Sequence, residues 1–387
     1  MVVYTGTAGA DTWFGTTGND IANGGAGDDY LDAKDGNDTV NGDDGNDILY
    51  GGPGIDILNG GAGDDTLTIL FSDLSAGDQF YGGSGTDTLF VSGDFSNIFT
   101  ADFTGITIGS DIEILRTVNS SVQTTIAQLS QFSQIEGIFK LIDSGFLDLT
   151  GNRFTSGSIY LGSGDDTLTM AGNTPAALTY ISAGAGNDHV TGSEGADALI
   201  GQDGNDLLEG GGGNDDLEGG AGNDTLLGGS GNDDLYDGAG DDVVNGGTGD
   251  DTIHLDFLDG FSAADQIIGG SGVDTLYINA SVYDHSWIDF SLFNIASDVE
   301  GLIAPNAWLM MSAQLAGQFQ NLQLAGLTVR KVTLVPPYNR RSRHDGKRVR
   351  VHTLVKRVEI SFCFERGQFA RGIGRSRQLI IGLCRDS

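Results

Sequence analysis

Apolar side chains recur at a fixed interval in two stretches of this chain. Between residues 6 and 68 one stands every nine residues: Trp13, Ala22, Leu31, Val40, Leu49, Leu58 and Leu67. Between residues 183 and 254 the same interval carries Val190, Leu199, Leu208, Leu217, Leu226, Leu235, Val244 and Ile253. Neither the period of an amphipathic helix nor the alternation of an ordinary strand produces this spacing. One apolar residue in nine predicts a strand of about three residues with a single inward side chain, followed by a turn.

The polar positions are as regular as the apolar ones. In register from Gly6 the chain reads GTAGADTWF, GTTGNDIAN, GGAGDDYLD, AKDGNDTVN, GDDGNDILY, GGPGIDILN, GGAGDDTLT. The second stretch reads AGAGNDHVT, GSEGADALI, GQDGNDLLE, GGGGNDDLE, GGAGNDTLL, GGSGNDDLY, DGAGDDVVN, GGTGDDTIH. All fifteen nonapeptides have Gly at the fourth position and Asp at the sixth. A fixed period of this kind marks a repeat architecture. Glycines at positions one, two and four permit positive φ and close backbone approach, as a tight turn requires. A lone Gly-Asn-Asp triplet is usually a solvated turn, but fifteen in phase are not. The extra acids at position five, Asp28, Asp64, Asp241 and Asp250, read as solvated rim charges rather than ligands.

This GGxGxDxUx pattern resembles the RTX, or haemolysin-type, calcium-binding repeat. Single further units stand at GGSGTDTLF (82–90), LGSGDDTLT (161–169) and GGSGVDTLY (269–277). The resemblance implies an all-β fold, a right-handed parallel β-roll or β-solenoid in which two nonapeptides close one coil. It also implies several Ca²⁺ ions, held between turns by the sixth-position Asp and by glycine-turn carbonyls. Carried over by position, the metal ligands would be Asp11, Asp20, Asp29, Asp38, Asp47, Asp56, Asp65, Asp87, Asp166, Asp188, Asp197, Asp206, Asp215, Asp224, Asp233, Asp242, Asp251 and Asp274. The pattern is broken at Ala33 and Lys34, which replace both opening glycines, and at Asp43, Ala183, Gln202 and Asp237. Lys34 would place a cation near one turn.

Electrostatics gives such a coil a need for the metal. Coils stack at about 4.8 Å, the strand spacing, and carboxylates about 5 Å apart repel by roughly 3 kcal/mol at an effective dielectric near 20. A hard dication on carboxylate and carbonyl oxygens removes that repulsion and adds its binding free energy to folding. Calcium suits flexible sites with many oxygen ligands better than magnesium does. Zinc is disfavoured, because residues 1–329 contain no Cys and only three His.

Composition narrows the remaining options. Sixty-three glycines with only five prolines, not at every third position, exclude collagen. The formal net charge of -35 argues against nucleic acid as a partner. No run of 18 apolar residues offers a membrane-spanning helix. The start, MVVYTGTAGA, has neither the basic nor the apolar region of a Sec-type signal peptide. The resemblance implies an extracellular protein exported from a Gram-negative bacterium by a type I system, although no C-terminal export signal is recognised.

Residues 69–182 and 255–329 depart from the repeat yet resemble each other. SAGDQFYGGSGTDTLF (75–90) matches SAADQIIGGSGVDTLY (262–277), and SDIE (110–113) matches SDVE (297–300), both at an offset of 187. Segments such as ITIG, IEIL, LDLT and SIYL predict strands of longer, irregular coils or end caps, and residues 124–134 one short helix. The chain thus divides into array 1 (1–68), an irregular β segment (69–182), array 2 (183–254), a second irregular segment (255–329) duplicating 69–142, and a tail (330–387). That tail is basic, with fifteen of the 19 Lys and Arg and only four acids, and holds both cysteines. Three readings compete for it: a cationic tail folding on the acidic body, a nucleic-acid arm, or out-of-frame sequence.

HExxH, GxSxG, the P-loop and the EF-hand spacing are all missing from the sequence. The expected role is therefore a non-enzymatic, calcium-folded structural module, with a cell-surface or matrix polymer as its partner. The rival is a secreted polysaccharide-active or other hydrolytic or lyase enzyme with its site in the irregular coils. His285 beside Trp287 is the most site-like cluster there, and an aromatic patch explains it equally.

Overall fold

A computed structural model describes residues 1–93, 99–151, 153–174, 179–256, 264–279, 287–289, 294–304, 308–312, 318–319, 321–324, 327–329, 332–334, 358–361, 371–373 and 378–380. Contacts divide the chain into two units, Met1–Gln202 and Asp203–Ser387. Both are built from parallel β-coils.

In the first unit the strands Ile21–Ala26, Thr39–Asp44, Ile57–Ala62 and Gln79–Ser84 form one stacked row. Thr12–Phe14, Tyr30–Asp32, Ile48–Tyr50, Thr66–Leu70 and Thr88–Ser92 form the facing row. Partners lie 18 residues apart, as in Ile21↔Thr39 and Tyr30↔Ile48, so two nonapeptides close each coil. Beyond residue 68 the stacking continues while the coils lengthen. Leu58 pairs with Phe80, Leu89 with Leu115, and Leu115 with Ile135. The expected strands of the irregular segment are present, including Ile114–Thr124, Phe146–Asp148 and Arg153–Tyr160. The expected helix is one turn, Ile126–Leu129, held by a capping box between Thr125 and Gln128.

In the second unit Leu207–Gly212, Thr225–Ser230, Val243–Thr248 and Gln266–Ser271 make one row. Asp216–Ala221, Asp234–Ala239, Thr252–Asp256 and Asp274–Asn279 make the other. Val299–Ala304 and Asn321–Leu324 extend that second row in parallel. Of residues 330–387 the structure describes Val332–Leu334, Val358–Ser361, Arg371–Ile373 and Gln378–Ile380, all in antiparallel pairings. The rest of the tail, and His285, lie outside the described residues.

The strands correct one expectation. Thr12–Phe14, Tyr30–Asp32 and Ile48–Tyr50 have the three residues expected, but the strands facing them and those between Leu207 and Thr248 span six, because the opening glycines of the next unit continue the pairing, as in Gly25↔Asp43. Inside the coil three positions point inward in alternation: the sixth-position Asp, the eighth-position apolar residue and the next opening glycine. The eighth-position residues are fully buried from Leu31 to Leu67 and from Val190 to Ile253. Larger coils hold larger fillers, Phe103, Phe132, Phe139 and Phe154, which close the wider interior.

Candidate metal centre

Alternation that buries the apolar residue also buries the Asp two places before it. Asp29, Asp38, Asp47, Asp56 and Asp65 are at most 3% exposed, and Asp206, Asp215, Asp224, Asp233, Asp242 and Asp251 at most 2%. Each carboxylate finds its first partner on the preceding coil. The Asp29 N–H donates to Asp47 Oδ1 at 2.7 Å, and the Asp47 N–H donates to Asp65 Oδ1 at 2.8 Å. Asp20, Asp38 and Asp56 form the parallel ladder on the other side. The second unit repeats it through Asp206, Asp224 and Asp242 and through Asp215, Asp233 and Asp251. Two of the single units join in as well, with Asp65 N–H on Asp87 Oδ1 and Asp251 N–H on Asp274 Oδ1. Asp166 accepts from Gly145 and donates to Asp188.

The other carboxylate oxygen is the informative one. Oδ2 of Asp29, Asp38, Asp47, Asp65, Asp87, Asp166, Asp224, Asp233, Asp251 and Asp274 is buried without a hydrogen-bond partner. A buried, unsatisfied acceptor costs about 1–3 kcal/mol, and more when charged. Except at Asp38 and Asp166, whose units open with Ala33 and Leu161, these oxygens face a space that only glycine leaves open. A methyl group on Gly42 would lie 2.2 Å from Asp47 Oδ2 and 2.4 Å from the Gly60 carbonyl oxygen. On Gly228 it would lie 2.4 Å from Asp233 Oδ2 and 2.4 Å from the Gly246 carbonyl oxygen. Carboxylate and next-coil carbonyl therefore converge on one small cradle. Among the described residues no three His, Cys, Asp or Glu side chains surround a single point, so carbonyls must supply part of any donor set. An all-oxygen, anionic set of this kind fits calcium and not zinc.

Burial shows in the protonation of these acids. Desolvation raises Asp47 to about 6 and Asp56, Asp65 and Asp242 to about 7. The neighbouring-coil N–H lowers each of them, but not enough to offset burial, and like-charged neighbours add to the rise.

Three repeats carry the Asp but resolve it differently. Where position two is Thr or Ser, its N–H turns onto the carboxylate of its own unit. Thr7 N–H donates to Asp11 Oδ2 at 2.6 Å, Thr16 N–H to Asp20 Oδ2 at 2.8 Å, and Ser193 N–H to Asp197 Oδ2 at 2.7 Å. The hydroxyls of Thr16 and Ser193 add a second donor, each at 2.8 Å. Burial pushes Asp20 upward, but the Thr16 and Val2 bonds and the terminal ammonium outweigh it and leave its carboxyl below the usual range.

The other broken positions keep the open turn under strain. Lys34, Asp43 and Gln202 replace a second-position glycine and are three of the four non-glycine residues at positive φ among the described residues, at 72°, 72° and 80°. Lys34 does not point into its turn. Its ammonium pairs with Asp32 at 2.5 Å and lies 5.2 Å from the Phe14 ring centroid.

Several participants escaped the sequence reading. Asp78 and Asp265 accept the Asp56 and Asp242 N–H groups at 2.9 and 3.0 Å and extend the ladders. Their signal was position, nine residues before Asp87 and Asp274, without the flanking glycines. The position-five acids are exposed but not merely solvated. Asp28, Asp64 and Asp250 each accept a next-coil N–H, from Asn46, Thr86 and Val273. Asn19, Asn37, Asn205 and Asn232 do the same, which explains the Asn-or-Asp preference there.

Fold and site together define a class: a parallel β-solenoid with buried carboxylate ladders and glycine cradles suited to a hard cation. Residues 5–40, 41–68, 75–95, 180–208, 191–226, 227–257 and 255–276 match the RTX calcium-binding nonapeptide repeat. These stretches of the chain are RTX repeats. No curated protein matches it.

Proposed function

We propose that this is a secreted structural module that folds on calcium, with the ions seated between successive turns. The observation carrying this reading is the row of buried Oδ2 atoms with no donor, of which those of Asp29, Asp47, Asp65, Asp87, Asp224, Asp233 and Asp251 face a glycine-bare cradle beside a carbonyl of the next coil. The ligands in this reading are Asp29, Asp38, Asp47, Asp56, Asp65, Asp87, Asp166, Asp188, Asp206, Asp215, Asp224, Asp233, Asp242, Asp251 and Asp274, with position-one carbonyls. Asp11, Asp20 and Asp197 are left out, because their own turn already supplies donors to Oδ2.

Calcium bound there joins coils that the carboxylates alone would push apart. Modules of this kind bind at about 0.1–1 mM, the range of extracellular sites. Such a chain stays unfolded where calcium is scarce and folds after export. Equilibrium dialysis of the full chain against calcium tests the reading. Cooperative uptake of several ions per chain is expected, since each filled coil orders its neighbour. A chain that takes up none would overturn it.

A further inference from the structure

Each array must end, and at its end the next sixth-position Asp is missing. In the first unit the coil after Asp87 carries no GGxGxD turn; Asp87 N–H instead donates to Glu113 Oε2 at 2.8 Å. In the second unit Asp274 N–H donates to Glu300 Oε2 at 3.0 Å. Both contacts span 26 residues. Glu113 and Glu300 thus stand where the next Asp of the ladder would stand, one methylene longer.

Two residues earlier another acid takes over the glycine turn. Asp111 Oδ2 accepts the Gly83 N–H at 2.9 Å, and Asp298 accepts the Gly269 and Gly270 N–H groups at 3.3 and 3.2 Å. The Asp111 carbonyl replaces the position-one carbonyl of an ordinary unit. A methyl on Gly82 would lie 2.4 Å from that carbonyl oxygen and 2.5 Å from Asp87 Oδ2. These are the contacts found at Gly42 and Gly60 inside the array. The cradle is therefore complete in shape although the repeat motif has stopped. Asp87 and Asp274 are fully buried, and each keeps its Oδ2 without a donor. Asp111 Oδ1 is a second buried oxygen without a partner beside the first of these cradles.

We propose that the tetrapeptides Ser110–Glu113 and Ser297–Glu300 are condensed turns, each closing one further calcium site at the end of its array. The first would be held by Asp87 Oδ2, the Asp111 carbonyl and the Glu113 carboxylate. Its counterpart would be held by Asp274 and Glu300, with Asp298 fixing the glycine turn. This rests on the calcium reading above, and it adds acids that lie outside the nonapeptide motif. A plain N–H cap would need only one acceptor oxygen. The buried, donor-free Asp87 and Asp274 oxygens need a cation as well.

The test is calcium stoichiometry of the full-length chain by equilibrium dialysis, comparing Glu113→Gln, Glu300→Gln and the double variant with the parent. Glutamine keeps an oxygen for the Asp87 or Asp274 N–H and removes the charge. Each single variant should lose one ion and the double variant two, with the remaining ions and the β-structure retained. Glu113→Ala, which removes both oxygen and charge, should lose the same ion and also unfold more easily. Parental stoichiometry in both glutamine variants would overturn the proposal and leave the segments as caps. Loss of every ion in Glu113→Gln would overturn it too, because a terminal site should leave the preceding row filled. Failure of the parent to bind calcium would instead defeat the function proposed for the arrays.

Discussion

In the turn GTTGND, residues 15–20, Asp20 Oδ2 receives both the N–H and the hydroxyl of Thr16. In the turn GDDGND, residues 42–47, Asp47 Oδ2 receives nothing and faces the glycine cradle. The sixth-position Asp and its fourth-position Gly are common to both. The difference lies at position two. A glycine, or a residue forced to positive φ such as Asp43, leaves the carboxylate oxygen open. A Thr or Ser outside that region folds its own donors onto the oxygen, the local competition these side chains bring to turns. Burial raises Asp47 to about 6, whereas the Thr16 and Val2 bonds and the terminal ammonium hold Asp20 below its usual range; Asp197, with the same two donors from Ser193, is still raised by burial. Position six therefore supplies the charge, and position two decides whether a metal is needed to balance it.

Filling the cradle should do the most damage. Gly60→Ala places a methyl 2.3 Å from Asp65 Oδ2 and 2.4 Å from the Gly82 carbonyl, at a position without positive φ. Its calcium-induced folding should fail or shift to at least tenfold higher calcium, a change of about 1.4 kcal/mol. A parental midpoint would show that the cradle is not the site.

Changing the carboxylate tests the contrast itself. Asp47→Asn and Asp224→Asn, in mid-ladder, should each raise the calcium midpoint about tenfold. Asp20→Asn should move it less than twofold. Equal shifts at all three positions would dissolve the distinction between open and self-satisfied turns. Thr16→Gly sharpens it from the other side, since freeing Asp20 Oδ2 should add one bound ion.

Acidity offers a metal-free version of the same comparison. For the buried acids the folded-state pKa lies above the unfolded value of about 3.9, so the folded chain binds more protons. Their contribution to stability is fully present below about pH 4 and is lost as pH rises through about 7, the value reached by Asp56, Asp65 and Asp242. Asp20, shifted downward, contributes oppositely and loses its share as pH falls. The buried set outnumbers it, so calcium-free chain should gain β-structure between pH 8 and pH 5. A circular-dichroism series in chelator that stays flat would contradict this.

Smallest are the strained turns. Lys34→Gly, Asp43→Gly and Gln202→Gly should each stabilise the calcium-loaded form by about 1 kcal/mol, read as a higher unfolding midpoint. Lys34 should gain least, because its outward pair with Asp32 is lost.

Much of this was legible in the residues. The period of nine and the eighth-position row located the core from Leu31 to Leu67 and from Val190 to Ile253, and the sixth-position Asp located the carboxylate ladders. What the motif concealed was its own exceptions. Thr16 and Ser193 look like tolerated variants of a glycine position, yet a hydroxyl and a different φ redirect the whole turn. Asp78 and Glu113 lack the flanking glycines, so only the stacking of unequal coils brings them into the ladder. Three-residue strands occur in one row of the first array, while elsewhere the strands are longer, since glycines that bend the chain also pair across coils.

The central claim, that calcium between carboxylate ladders holds the coils together, is tested most directly by far-UV circular dichroism of the whole chain. The protein is stripped of metal at neutral pH and then titrated with calcium. The account predicts a largely unstructured spectrum in chelator and a cooperative rise of β-signal at about 0.1–1 mM Ca²⁺. The same β-rich spectrum with and without calcium would contradict it.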